Sequence, residues 1–372
     1  MSGRTLDYRR AVKLLGVILD SCLSWNEHVE ARIKKAICTF WACKRAFGCT
    51  WGLTPKVLHW IYTMVIRPMI TYGAIVWWPT VIKHKFRLQL DKVQRMACVG
   101  ITGAMRTAPT RALEVLMNLP PLHIYIENMA VRTAYHLNCL GHLRPKSNGH
   151  TRNWNDVTRN CPSLLMQTDY MTPVLKSNSS LEVILPQRED WKGTDNSVVP
   201  KNGSWWFTDG SRQHEKAGAG VYGKGTDRRE YDPLGSYATV FQAEVFAILQ
   251  CCYLCLGNAN RIGNINICSD SRAAMLAIKS DTVTSRIVLE CKNVLEELTH
   301  RGDTVKLVWV PGHSGIQGNE VADRLAKMGS AKDPNGPQPI IAIPKAVGIG
   351  EIKGLLKDEF DRCWRGSRNE AG

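Results

Sequence analysis

The most constraining feature of this chain is residues 309–327, Trp-Val-Pro-Gly-His-Ser-Gly-Ile-Gln-Gly-Asn-Glu-Val-Ala-Asp-Arg-Leu-Ala-Lys. An apolar strand over 305–310 runs into a Pro-Gly turn, a polar loop carries His313, and a helix begins near Gly318. Asn319 and Asp323 lie four apart, so a helix sets them on one face, one turn above each other. Strand end, loop imidazole and helix carboxylate form one wall of a metal-dependent site. A single aspartate is not a site, and its partners must come from elsewhere in the chain.

Residues 204–308 offer them. A β-prone run over 204–208 stops at the turn tripeptide Asp209-Gly210-Ser211, and two further strands follow over 217–223 and 229–234. A helix over 241–256 holds Glu244 in its first turns. A short strand over 265–268 ends at Ser269-Asp270-Ser271, then come helices over 272–279 and 285–299 and the strand at 304–310. The order β-β-β-α-β-α-α-β-α predicts an α/β fold, a five-stranded mixed sheet flanked by helices. Asp209 and Asp270 each stand just past an apolar strand, where open α/β sheets place their ligands. If those strands are parallel neighbours, the two carboxylates emerge side by side, and Glu244 and Asp323 close the square.

Four carboxylates without cations would repel and take up protons. Hard oxygen donors suit Mg²⁺ or Mn²⁺. Two such ions would orient a water and stabilise the leaving 3′ oxygen of a phosphodiester. Taken singly, Asp209 reads as a turn former, Asp270 as a helix N-cap, Glu244 as an exposed helix residue and His313 as a loop histidine. The order Asp, Glu, Asp, Asp, with a histidine ahead of the last, makes the joint reading the stronger one.

Charge divides the chain. The net +15 points to a polyanionic partner. Residues 1–140 carry +12, 141–203 carry +2, 204–330 carry 0 and 331–372 carry +1. The first 140 residues read as a mostly α-helical basic module. A buried strand is expected over 11–20, then helices over 25–48, 54–66, 83–99, 110–117 and 122–140, with Thr54 as N-cap before Pro55. In the first helix Val29, Ile33, Ile37, Phe40 and Trp41 form the apolar stripe. Residues 141–203, rich in Asn, Ser, Pro and Thr, read as an exposed linker. Residues 331–372 read as a tail whose Pro-rich start precedes a docking helix over 349–364.

The 13 cysteines are scattered and odd in number; Cys252-Tyr-Leu-Cys255 lacks a second pair at zinc-finger spacing. Buried reduced thiols and an intracellular location, nucleus or cytoplasm, are expected. No secretory signal is visible, and the apolar run 57–78 is broken by Arg67-Pro68, so no membrane partner is expected. The pattern fixes no oligomeric state.

Two resemblances sharpen this. Phe207-Thr-Asp-Gly-Ser211, Gln242-Ala-Glu244, Cys268-Ser-Asp-Ser271 and the 309–323 run resemble a type 1 ribonuclease H over 204–329, in particular the domain that follows the thumb in non-LTR retrotransposon polyproteins. The resemblance implies metal ligands at Asp209, Glu244, Asp270 and Asp323, with Asp209 bridging two ions. It places His313 on a loop assisting proton transfer or product release. Ser211, Ser271 and Asn319 become candidate substrate contacts, and an RNA–DNA hybrid becomes the partner, its RNA strand cut endonucleolytically. Leu14-Leu-Gly-Val-Ile-Leu-Asp20 with Trp25 and His28, Tyr72-Gly-Ala-Ile-Val-Trp77, and Arg106-Thr-Ala-Pro-Thr-Arg-Ala-Leu113 followed by Leu119-Pro-Pro-Leu122 resemble the palm end and thumb of Jockey- and R1-like reverse transcriptases over residues 8–140. No Asp-Asp pair occurs in the chain, so no DNA synthesis is expected from it alone.

One departure bears on substrate grip. Cellular type 1 enzymes often carry a basic helical protrusion, whereas residues 281–303 hold only Arg286, Lys292 and Arg301 against five acids. Nucleic acid is therefore expected to be held by the basic N-terminal module, with steep salt dependence. Two other readings stay open: a non-catalytic nucleic-acid-binding remnant, and a DDE-type recombinase for which Glu320 would be the helix-borne acid.

Overall fold

The structure is a computed structural model that describes residues 9–45, 54–143, 152–177, 181–191, 200, 202–258 and 261–369. The expectations for residues 1–8 and for the helix end at 46–48 lie outside these. Two compact units emerge, one of residues 1–164 with 348–372 and one of residues 165–347.

The first unit opens with a hairpin rather than one buried strand. β1 (Ala11–Leu14) pairs antiparallel with β2 (Val17–Asp20), and β1 is largely exposed. The apolar run conceals a two-residue turn, Leu15-Gly16, with φ of 46° and 83°. Helix α1 (Asn26–Lys44) buries Val29, Ile33, Ala36 and Phe40, whereas Trp41 is exposed with Lys44 over its ring. Thr54 caps α2 (Pro55–Ile61) by accepting from Val57 N at 3.3 Å.

The chain continues through α3 (Arg67–Thr71), α4 (Ala74–Trp77), α5 (His84–Thr102), α6 (Thr110–Leu116) and α7 (Leu122–Cys139). Phe40, Tyr62, Ile66, Trp77 and Leu90 make a shared core. Among the described residues no single helix is long and apolar enough to cross a membrane; the segments Pro55–Thr71 and Ala74–Ile82 are bent by 50°.

The stretch 141–203 is not simply an exposed linker. In α8 (Arg152–Asn160), Trp154 is fully buried and stacks on Tyr135 of α7. One aromatic anchor holds this polar helix, which is why its sequence shows so little apolar periodicity. The next part of the stretch builds the second unit. β3 (Tyr170–Leu175) pairs with a later strand, and β4 (Glu182–Ile184) joins the main sheet.

That sheet contains the five expected strands and β4 as a sixth. The remaining elements are β5 (Ser204–Gln213), β6 (Lys216–Lys224), β7 (Arg228–Gly235), α9 (Val240–Leu256), β8 (Asn264–Ser269), α10 (Arg272–Lys279), β9 (Thr282–Ser285), α11 (Arg286–His300), β10 (Thr304–Trp309) and α12 (Gln317–Ala331). Strand order is β4-β10-β8-β5-β6-β7, parallel from β4 to β5 and antiparallel beyond. Pro233, which cannot donate to a ladder, sits on the edge strand β7.

Helix α9 starts at a capping box formed by Thr239 and Gln242, and it buries apolar residues nearly all round. Asp169, from the stretch read as linker, accepts from Ile287 N and Ser285 Oγ at the start of α11. Helix α13 (Lys345–Asn369) belongs to the first unit from residue 348 onward; there Ile352 is fully buried and its carbonyl accepts from Asn128 Nδ2 at 2.9 Å.

Candidate active site

Strands β5 and β8 are parallel neighbours, with Thr208 opposite Ser269, so Asp209 and Asp270 follow side by side, one position later on each. Asp270 lies just past its strand as expected. Asp209 does not: β5 continues to Gln213, and Asp209 pairs with Gly220 inside the ladder. A strand interior fixes a carboxylate more tightly than a turn does. Helix α9 comes against β5 at Gly210, where a Cβ would lie 2.4 Å from Glu244 N. Only glycine lets the helix approach this closely, and the approach brings Glu244 to Asp209. Ligand oxygens of Asp209, Glu244 and Asp270 all lie within 4.8 Å of one another.

The 309–327 run forms the remaining wall. Gly312 passes so near Asp270 that a Cβ would stand 2.6 Å from Oδ2, and Trp309 Nε1 donates to the Asp270 carbonyl at 3.0 Å. His313 is exposed with φ of 51°, a left-handed conformation costly for a non-glycine residue. His313, Glu320 and Asp323 form a second group with ligand atoms within 4.8 Å of one another. Asp323 of the second group adds its charge beside Asp209 and helps to raise that carboxyl.

The electrostatics follow from crowding. Burial, then Asp270 and Asp323, pushes the Asp209 carboxyl up to about 8. Burial, then Asp209 and Asp270, holds Glu244 well above the usual carboxylate range. Asp270 is raised by burial, with Asn319 and His313 opposing the rise. Glu244 Oε2 and Asn319 Oδ1 are buried without a hydrogen-bond partner. An unpaired carboxylate oxygen enclosed among other carboxylates is an electrostatic deficit that a cation relieves.

The candidate substrate contacts separate. Asn319 is buried, and its side chain favours the charged form of Asp270. Ser271 caps α10 by accepting from Ala274 N; Ser271, not Asp270, is the N-cap there. Ser211 stands half-buried on β5 opposite Gly218, two positions past Asp209.

Sequence reasoning missed Lys327, whose Nζ lies 2.6 Å from Asp323 Oδ2. Its spacing of four from Asp323 on a helix was the available signal. It also missed Ser269, buried at the end of β8, whose side chain favours the charged form of Glu244 against the larger effect of burial. The three basic residues of 281–303 turn to structural work. Lys292 is fully buried, donating to the carbonyls of Ile278 and Ser280; Arg286 bonds the Thr168 carbonyl, and Arg301 bonds Asp303.

A sequence model of the RNase H family matches residues 201–331. The chain is 28% identical over 131 residues to the putative 115 kDa protein in type-1 retrotransposable element R1DM of Drosophila melanogaster, covering 35% of this chain and 13% of that protein. It is 27% identical over 137 residues to a retrovirus-related Pol polyprotein from type-1 retrotransposable element R1 4 of Nasonia vitripennis, covering 37% and 34%. The chain thus spans about a third or less of the length of these relatives.

Among solved structures, RNase H1 from the halophilic archaeon Halobacterium salinarum is similar at 21% identity and a TM-score of 0.28, over 34% of this chain and 96% of that one. A foamy viral protease-reverse transcriptase in complex with RNA/DNA hybrid is similar at 21% identity and a TM-score of 0.29, over 37% and 22%. The family match falls on the segment that carries the clustered carboxylates, and residues 201–331 are an RNase H domain.

Proposed function

We propose that the chain is a divalent-metal-dependent endonuclease that hydrolyses the RNA strand of RNA–DNA hybrids, and that it is a segment of a retrotransposon-encoded polyprotein. The observation that carries this is the close trio Asp209, Glu244 and Asp270, the first two buried and Asp270 half-buried, with the Asp323 charge beside Asp209 and one Glu244 oxygen unpaired. All-oxygen donors in this density fit Mg²⁺, with Mn²⁺ as a substitute, better than softer metals. Asp209, Glu244, Asp270 and Asp323 would hold two ions. Bound there, the ions would activate a water and stabilise the leaving 3′ oxygen.

The chain's own residues do the rest. Asn319 and the Ser269 side chain favour the charged forms of Asp270 and Glu244. The Lys327 ammonium neutralises part of Asp323. His313, exposed beside Glu320 and Asp323, can take a proton on a ring nitrogen or help the cut strand leave. A ribonucleotide 2′-hydroxyl is the group by which such a site separates RNA from DNA.

The test is cleavage of hybrid, double-stranded DNA and double-stranded RNA with Mg²⁺, comparing wild type with Asp209→Asn. Cutting of the hybrid's RNA strand by wild type alone is expected, with a loss of at least about a hundredfold in the variant. Equal cutting by both proteins, or none by wild type, overturns the assignment; binding without cutting would favour the non-catalytic remnant.

A further inference from the structure

The first unit contains a cavity of about 330 Å³ ringed by cations. Arg67, at the start of α3, lays its guanidinium 3.8 Å from the ring centre of Tyr125 on α7. Lys353 and Lys357, exposed on α13 and four residues apart, line the same cavity, with Asn118 and Phe360 completing its wall. No aspartate or glutamate lines it, and among the described residues no carboxylate pairs with any of the three cations. Two lysines one turn apart repel modestly, and an arginine beside them adds to the local positive potential. The guanidinium, stacked by its face, keeps edge N–H donors for a planar, bidentate acceptor such as phosphate.

We propose that this cavity is a phosphate-binding site for the backbone of a nucleic acid, built jointly by the N-terminal module and the helix that follows the RNase H domain. It rests on reading the chain as a nucleic-acid enzyme. The RNase H domain is neutral, and the basic residues of its 281–303 segment are engaged in the fold. Residues 1–140 carry +12. Two of the three cations come from α13, which the sequence alone offered only as a docking helix. A free nucleotide shares the phosphate chemistry but does not use the charge spread over the whole unit.

The test uses the full chain in EDTA, so that binding is read without cleavage. Fluorescence anisotropy follows a labelled 20-base-pair RNA–DNA hybrid at several salt concentrations. The double variant Lys353→Gln/Lys357→Gln should bind about tenfold more weakly, with the salt slope reduced by about 1–2. Circular dichroism should show unchanged helix content, since both lysines are exposed. A control of equal charge, Lys13→Gln/Lys56→Gln, should lose distinctly less. Equal losses in both pairs, or none in the pocket pair, overturn the proposal. ADP that binds in a manner abolished by the pocket variant, while hybrid binding is unchanged, overturns the nucleic-acid assignment. Because the readout is binding without metal, its failure leaves the cleavage result standing, and a wild type that binds but cuts nothing overturns only the catalytic reading.

Discussion

Lys327 shows how one side chain bears on the proposed metal site. Its ammonium bonds Asp323 at 2.6 Å, and it is raised by that bond and by the nearby Asp209 and Glu320. An internal cation competes with an external one for the same oxygens. A half-exposed ion pair contributes about 0.2–1 kcal/mol, so Lys327→Met should lower the half-saturating Mg²⁺ concentration about two- to fivefold, read by calorimetry or metal-dependent melting. Weaker Mg²⁺ binding in the variant would refute the competition. Gly210→Ala makes the complementary point about backbone approach. The new methyl meets Glu244 N, so α9 must shift; a loss of about 1–3 kcal/mol is expected, together with weaker Mg²⁺ binding as Glu244 leaves the trio. A stable variant with unaltered binding would show that the close approach does not matter. Asp209, Glu244, Asp270 and Asp323 were legible as candidates because each lies in or beside a recognisable strand or helix. The cap at Ser271 and the strand interior at Asp209 were not, because Asp-Gly-Ser and Ser-Asp-Ser favour turns and caps equally.

At the level of elements, strands with long apolar alternation declared themselves, and those defined by a partner did not. β9 has four residues and β4 three, each too short for a periodic signal, and both pair with chain distant in sequence. Helix α13 was expected over 349–364 and extends over Lys345–Asn369, and its packing carries a pH dependence that no periodicity reveals. Burial, and then Glu359 on α13, raises Glu127 on α7 to about 7 from 4.5, against a smaller opposing effect of Arg87. The cavity beside the pair is also lined by Arg152 and Asp156. A carboxyl with a raised folded-state pKa contributes fully below its unfolded value, and the contribution is lost as pH climbs from about 4.5 through about 7. Glu127→Gln should therefore match wild type below pH 4.5 and exceed it by about 2 kcal/mol at pH 8. Denaturant melts across that range check this; a gap that stays constant from pH 4.5 to 8 would contradict it.

For the whole molecule, the charge division between a basic N-terminal part and a neutral RNase H domain was readable from composition, whereas the extent of the compact units was not. Sequence placed them at 140, 204 and 330; the structure divides the chain after 164 and after 347. The difference lies in residues whose partners are remote. Asp169 accepts from Ile287 N in the first turn of α11, and Lys176 pairs with Glu296 at 2.5 Å; Glu182 of β4 pairs with Lys306 at 2.7 Å. A fragment of residues 204–330 loses all three and leaves β10 as an open edge, a geometry prone to pairing with other chains. Losing one such hydrogen bond costs about 0.5–1.5 kcal/mol, and losing an edge strand adds to it. A fragment of residues 165–347 keeps every one of these contacts. It should melt cooperatively and stay monodisperse, several degrees above the shorter piece, which should aggregate on heating. Because it also lacks the basic first unit, its hybrid affinity should fall and its salt slope flatten relative to the full chain while its Mg²⁺ affinity is kept. Identical melting of the two fragments would show that residues 165–203 contribute nothing to the nuclease fold, and unchanged hybrid affinity would return the substrate grip to the RNase H domain itself.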